Sequence, residues 1–275
     1  MSLLLARTES VHLAVMSCAT AFSRRSRAAV VCLAVLLAAS GCARRPPEPV
    51  GSGGRGPTPY YPTAPRPSGP PVAGSGLIDQ RIDGATLERV GRDGEDFQRC
   101  MATLAQARVE LSPVPDRAEG GCELTQAGRL VIDRGTVARL SPAAPEMACE
   151  TALAFSIWRR QSVEPAAREI FGQDVVQIDL MGTYSCRTVG NRPGGRISAH
   201  GRGNAVDFGG VRLRDGRRIS VLQNWQGDSD EARFLKRVRD DACRIFGTVL
   251  SPEYNAAHRD HLHLEVQETD WTMCR

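Results

Sequence analysis

The sequence predicts an α+β fold: a single domain with a central, mainly antiparallel sheet flanked by helices. Three observations predict it. Helix-patterned and strand-patterned segments follow one another without the regular alternation of a doubly wound parallel sheet. Residues 205–222, AVDFGGVRLRDGRRISVL, alternate as a hairpin does, with Asp215-Gly216 as the tight turn. Four of the five histidines gather in two short stretches of the last third, one of them strand-patterned.

The elements follow in order. EDFQRCMATLAQA, residues 95–107, reads as a helix and RVELSPV after it as a strand. PAAPEMACETALAFSIWRRQS, residues 142–162, sets apolar residues at helical spacing behind a proline-rich start. EPAAREIFG is a short helix closed by Gly172, and DVVQIDLMGTYSC a buried strand. SDEARFLKRVRDDACRIFG is an amphipathic helix opened by Ser229 and ended by Gly247. No internal repeat is visible.

Residues 1–41 stand outside this domain. Arg24, Arg25 and Arg27 precede the apolar run AAVVCLAVLLAAS, which is too short to span a membrane comfortably and has the form of a signal-peptide core; the start is Met1 or Met16. The run ends in ASGC, similar to a bacterial lipoprotein cleavage site, so Cys42 is the expected lipidated first residue and membrane anchor. Ala43 is not the aspartate of inner-membrane retention, which points to an outer-membrane lipoprotein facing the periplasm. Residues 42–76 hold ten of the seventeen prolines and almost no aliphatic side chains; they form an extended tether able to reach on the order of 100 Å. The folded domain is expected over residues 77–275.

Export leaves six cysteines in the domain: Cys100, Cys122, Cys149, Cys186, Cys243 and Cys274. An even set in an oxidising compartment favours up to three disulfides, with fifteen pairings open. None sits in a CxxC pair, which argues against cysteine-bound zinc. Loss of residues 1–41 removes four arginines and one glutamate, so the formal charge falls from +4 to about +1. No basic surface for nucleic acid is indicated, and neither a P-loop nor a GxGxxG turn is present.

Four of the five histidines remain after export. His258, His261 and His263 lie in HRDHLHLE, and His200 lies in SAHGRGNAVDFGG. Such concentration calls for a shared site. His200 and Asp207 are seven apart with Gly203 between them, a spacing suited to a loop entering a strand. Residues i and i+2 of a strand share a face, so His261 and His263 point the same way. Histidine nitrogen and carboxylate oxygen are ordinary zinc ligands, and a catalytic zinc takes three protein ligands. His200, Asp207 and His263 make such a set, which places a zinc (Zn2+) site on the sheet.

SAHGRGNAVD resembles the SxHxxGxAxD motif of zinc peptidases that cut D-alanyl peptides and related bonds of peptidoglycan, among them D-Ala-D-Ala carboxypeptidases, dipeptidases and peptidoglycan endopeptidases. Over Cys100 to Glu265 the chain is similar to the bacterial extensin-like C-terminal domain, through GTYSCR, GRISAHGRGNAVD, FLKRVRDDAC and TVLSPEYNAAHRDHLHLE. The resemblance implies a zinc-dependent peptidoglycan peptidase of the cell envelope, acting on wall peptide stems, with His200, Asp207 and His263 on the metal. Many of these enzymes carry the catalytic glutamate in an ExxH stretch. Here the residue three before His263 is Asp260, while His261-x-His263 matches the HxH of others, so Asp260 and His261 both stand as candidates for the base. Ser198 and Arg196 are the candidates for binding substrate.

Blander readings accompany these. Asp207 alone suits a strand end and Gly203 a positive φ. Glu265 faces solvent or braces a ligand histidine, and His258 is structural. Tyr254 and Asn255 shape the loop; Trp225 and Trp271 line a glycan groove or pack in the core. The rival to an enzyme is a catalytically silent zinc domain that binds peptidoglycan or an envelope protein.

Overall fold

The computed structural model describes residues 76–266 and 271–275; the signal segment, Cys42 and nearly all of the tether lie outside the described residues. Helices α1 (Thr86–Gly94) and α2 (Phe97–Gln106) open the domain. Six short strands follow: β1 (Val109–Pro113), β2 (Arg117–Glu119), β3 (Cys122–Leu124), β4 (Ala127–Asp133), β5 (Arg139–Ser141) and β6 (Glu146–Ala148). Helices α3 (Cys149–Trp158) and α4 (Glu164–Phe171) come next, then β7 (Val175–Gly182), β8 (Ala205–Leu213) and β9 (Arg218–Ser220). The chain closes with α5 (Val221–Asn224), α6 (Asp230–Ala242), β10 (Thr248–Leu250), β11 (Leu262–Glu265) and β12 (Met273–Cys274).

Local chemistry explains where the principal elements start and stop. Asp96 caps α2, its carboxylate accepting the Arg99 amide at 2.8 Å, and Ser229 caps α6 by accepting the Ala232 amide at 3.2 Å. Gly172 ends α4 in the left-handed region, at φ 65°, where a Cβ is disfavoured. Two expected boundaries move. Residues 146–148 pair with β4 as β6, so the helix read over 142–162 begins only at Cys149. Helix α6 stops at Ala242 rather than Gly247, because the amides of Ile245 and Phe246 both turn back to the Ala242 carbonyl at 2.9 Å.

The result is a body of mixed helix and sheet. Its main sheet runs β12-β10-β11-β8-β7-β5, with β9 hairpinned onto β8. The pairings around β8 and β11 are antiparallel, and the outer pairs β5–β7 and β10–β12 are parallel. A smaller sheet runs β1-β4-β6, and β2 and β3 form a separate hairpin. Strand β8 is buried on both faces over residues 205–211, because it lies inside the sheet and each side is covered.

One face of the main sheet meets the apolar core. In the β8–β11 ladder Val206 pairs with Leu264 and Phe208 with Leu262, all four buried. Trp158 of α3 packs edge-on against Phe208, ring centroids 5.0 Å apart, and donates its indole N–H to the Val238 carbonyl of α6 at 2.8 Å. Helix α3 is buried on every side except at Glu150, which accounts for its nearly unbroken apolar run. The residues between these partners, Asp207 and His263, project from the opposite face.

Three disulfides join distant parts: Cys100–Cys149 links α2 to α3, Cys122–Cys186 links β3 to the loop after β7, and Cys243–Cys274 links the end of α6 to β12. All six domain cysteines are used. We predict that Phe208→Ala costs about 3–5 kcal/mol of stability, since it empties space between the sheet and Trp158; chemical denaturation with disulfides intact measures this.

Candidate metal centre

The loop carrying His200 is set by its glycines and by the disulfide beside it. Residues 199–202 form one tight helical turn, closed by Gly203 at φ 72°. A Cβ on Gly203 would lie 2.6 Å from Leu124 Cδ1 and 2.8 Å from the Ala148 nitrogen, so only glycine allows this approach to β3 and β6. The Gly203 carbonyl accepts the Ala148 amide at 3.0 Å and the Thr151 hydroxyl at 2.9 Å. The Ser185 amide donates to the His200 carbonyl at 3.0 Å, one residue from the Cys122–Cys186 bridge. Gly201 closes the loop over that bridge, since a Cβ there would lie 2.9 Å from Cys122 Sγ.

Strand register supplies the other two groups. Asp207 stands directly opposite His263 in the β8–β11 ladder and opposite Gly182 at the end of β7. A Cβ on Gly182 would come within 3.0 Å of Asp207 Oδ2 and 3.7 Å of His200 Cε1, so the missing side chain keeps this space open. His200, Asp207 and His263 are all buried and offer donor atoms within 4.8 Å of one another. Asp207 Oδ1 lies 2.9 Å from His263 Nδ1 and 3.2 Å from His200 Nε2; the two nitrogens are 3.2 Å apart. Ligands about 2.0–2.1 Å from a tetrahedral zinc are separated by ~3.3 Å, close to these spacings. The donor set therefore fits a metal ion.

The remote ring nitrogens are also held. His200 Nδ1 donates to the Thr183 carbonyl at 2.7 Å, and His263 Nε2 donates to Glu265 Oε2 at 3.1 Å. These bonds leave Nε2 of His200 and Nδ1 of His263 facing the shared centre, the way a second layer of partners orients metal-binding imidazoles. Of the two readings of Glu265, bracing a ligand histidine is the one found.

Asp260 and His261 form one unit. His261 Nδ1 donates to Asp260 Oδ1 at 2.8 Å, and its Nε2 lies 3.6 Å from Asp207 Oδ1. His258 stacks beside them, 5.2 Å from the His261 ring and 5.9 Å from His263, with Nδ1 bonded to Asn255 Oδ1 at 2.8 Å. Burial lowers the His258 pKa to about 4, assisted by the neighbouring imidazoles. Tyr254 lies 5.6 Å from His258 and shapes this approach.

The sequence-named substrate residues separate. Ser198 is buried and precedes the His200 turn, its amide donating to the Arg187 carbonyl at 3.0 Å. Arg196 is exposed, and among the described residues no ion pair joins its side chain to the centre. A second arginine, Arg187, approaches the centre, with Nη2 3.7 Å from Asp207 Oδ2. Its position in GTYSCR, next to Cys186, was the available signal; the bridge holds this arginine at the site. Trp225 is buried under Arg239 in the core, while Trp271 is exposed.

The charges are coupled. Burial alone would raise the Asp207 pKa, but hydrogen bonds from His200 and His263 outweigh it and hold the carboxyl well below the usual range. Burial alone would lower the His263 pKa, but Asp207 and Glu265 raise it to about 9. In the metal-free chain, the His263 contribution to stability is complete below pH 6.5 and lost as pH rises through about 9. The Asp207 contribution is present above pH 3.8 and lost as pH falls. Metal at Nδ1 must displace the His263 proton. We predict that the chelator-treated chain loses thermal stability between pH 7 and 10, and that its zinc affinity rises up to about tenfold per pH unit from pH 7 to 9. Calorimetric titration in buffers of different protonation enthalpy reads the released proton.

A model of the family described as Extensin-like protein C-terminus matches residues 98–275. No curated protein matches the chain, and no solved structure matches it.

Proposed function

The chain belongs to the extensin-like protein C-terminus family, and from that premise we propose that it is a zinc-dependent peptidase acting on the peptide stems of peptidoglycan. One observation carries the reading: two buried imidazoles and a carboxylate present their donor atoms to one point, with each imidazole's remaining nitrogen already engaged. The likeness of Ser198, His200, Gly203, Ala205 and Asp207 to the SxHxxGxAxD pattern supplies the substrate class.

His200 Nε2, Asp207 and His263 Nδ1 would hold a zinc ion, which would supply Lewis acidity toward water and the scissile carbonyl. The protein supplies the base. With Nδ1–H held by Asp260, His261 keeps Nε2 free to accept a proton, and the Asp260 carboxylate stabilises the imidazolium that forms. Asp260 and His261 thus act as one catalytic pair, the histidine carrying the proton. Arg187 and, from the exposed segment before Ser198, Arg196 meet anionic charge on the substrate or the developing oxyanion. Ser198 orients the peptide from the start of the His200 turn.

Three disulfides support an oxidising compartment, consistent with a cell-envelope lipoprotein anchored through Cys42 in the outer membrane and facing the periplasm. Incorporation of a labelled fatty acid, expected in the wild type and lost in Cys42→Ser, tests the anchor.

Digestion of purified peptidoglycan tests the activity. We expect new muropeptides by chromatography, a drop of at least about 100-fold in rate for His261→Ala, and a smaller one of about 10-fold for Asp260→Asn. Bound zinc with unchanged digests across several wall types would instead establish the catalytically silent binding domain. Zinc absent from wild-type chain made under oxidising conditions would overturn both.

A further inference from the structure

Away from the metal centre, a cleft of about 390 Å3 opens between β4, β5 and the loops that follow them. Its apolar wall includes Val131, Val137, Leu140 and Ala143, and Val137 is 60% exposed at the rim. Strand β5 is the edge of the main sheet, with β7 on one side and no strand of that sheet on the other. The cleft therefore lies beside main-chain groups available to an added strand.

The floor is unusual. Arg159 lines the cleft, yet its side chain is only 2% exposed. It comes from a stretch where the Glu164 amide bonds back five residues to the Arg159 carbonyl, a widened π-type turn that carries residues 159–163. The Arg159 guanidinium has one hydrogen bond among the described residues, from Nη2 to the Ala138 carbonyl at 3.3 Å. Its Nε lies 3.3 Å from Asp133 Oδ2 without forming a hydrogen bond. Asp133 is already engaged: Arg160 Nε reaches both of its oxygens at 3.1 Å, and Arg160 Nη2 also contacts it. Arg160 is further held by Asp79 at 2.9 Å and the Ala107 carbonyl at 2.7 Å. Burial lowers the Arg159 pKa, and neighbouring carboxylates offset this only in part. A guanidinium stays charged under these conditions, so a buried cation is left with donors to spare.

Charge on the walls points the same way. Arg134 and Arg139 also line the cleft, and Asp133 is the acidic group among its walls. An anion is complementary to this floor and a small aliphatic group to the wall above it.

We infer that this cleft is a binding site for the free C-terminal end of a peptide whose last residue is apolar, with the α-carboxylate on Arg159. A carboxylate matches the planar guanidinium and provides the acceptors that Arg159 lacks. The aliphatic side chain then rests on Val137 and Leu140, and the peptide backbone runs beside the open edge of β5. This site requires neither a metal nor peptidase activity.

The test is a nuclear magnetic resonance titration of the full, disulfide-intact chain with N-acetyl-Ala-Val and, separately, with its C-terminal amide. We expect saturable shifts confined to residues 130–144 and 159 with the acid, and binding at least about tenfold weaker with the amide. Val137→Asp places a negative charge on the exposed rim without touching the buried ion pairs and should weaken the acid at least about tenfold. Arg159→Gln should abolish the preference for acid over amide, whereas the His200→Ala/His263→Ala double variant should retain it. Equal affinity for acid and amide, unaltered binding by Val137→Asp, shifts at residues 198–207 and 258–265 instead, or no saturable binding up to about 10 mM would each overturn the inference.

Discussion

Asp207 and His263 face one another across two adjacent antiparallel strands, and the arrangement of the domain depends on that register. The same ladder sends Val206, Phe208, Leu262 and Leu264 to the opposite face, where they meet the helices. A one-residue slip would exchange the two sets, burying charge in the apolar core and exposing its aromatic and aliphatic members. Hydrophobic packing against Trp158 thus enforces the alignment of the polar centre. The energetic demand for an apolar face and the chemical demand for converging donors are met by one choice of register.

Burying three titratable groups is unfavourable unless each is partnered. Here Asp207 receives both histidines, His200 is tied to the Thr183 carbonyl, and His263 is tied to Glu265. The glycines at 182 and 203 permit the close approaches this requires, and Cys122–Cys186 keeps the two loops together. The centre is therefore largely organised before any ion enters, which reduces the rearrangement that binding demands. Its acidity pattern follows from the same contacts: mutual attraction keeps Asp207 ionised and His263 protonated, so a cation entering the site competes with a proton.

The domain distributes its arginines between two tasks. Arg187 approaches Asp207 from a disulfide-bridged loop and is partly open to solvent. Arg159 and Arg160 are buried with Asp133, where a widened helical turn carries both. Arg160 is saturated by that surrounding and Arg159 is not. Both arginines pair with Asp133, but only Arg160 has its donors filled, which leaves Arg159 with donors to spare.

Much of this was legible in the linear chain where a signal is local. The capping residue Ser229, the Gly172 stop and the strand of residues 175–182 follow from nearest-neighbour chemistry. The concentration of histidines in two segments marked His200, Asp207 and His263 as one group, because rare titratable residues seldom cluster without a shared purpose. The strands β2, β3, β5 and β6 were not legible: three-residue elements carry too little periodicity, and partners elsewhere define them. For the same reason β6 was absorbed into the helix that follows it.

Other features belonged to the tertiary structure alone. The hydrogen bond between the adjacent Asp260 and His261 side chains is set by the turn before β11. The approach of Arg187 to Asp207 was not foreseen, because a disulfide-bridged loop carries that contact. Sequence left fifteen disulfide pairings open, and chain packing selected three bridges. The sequence by itself determined which residue types were available and where local turns fall. Which of them meet was decided by register and packing, because contacts between residues tens of positions apart arise only when the apolar face of the sheet is buried and the chain has one way left to close around it.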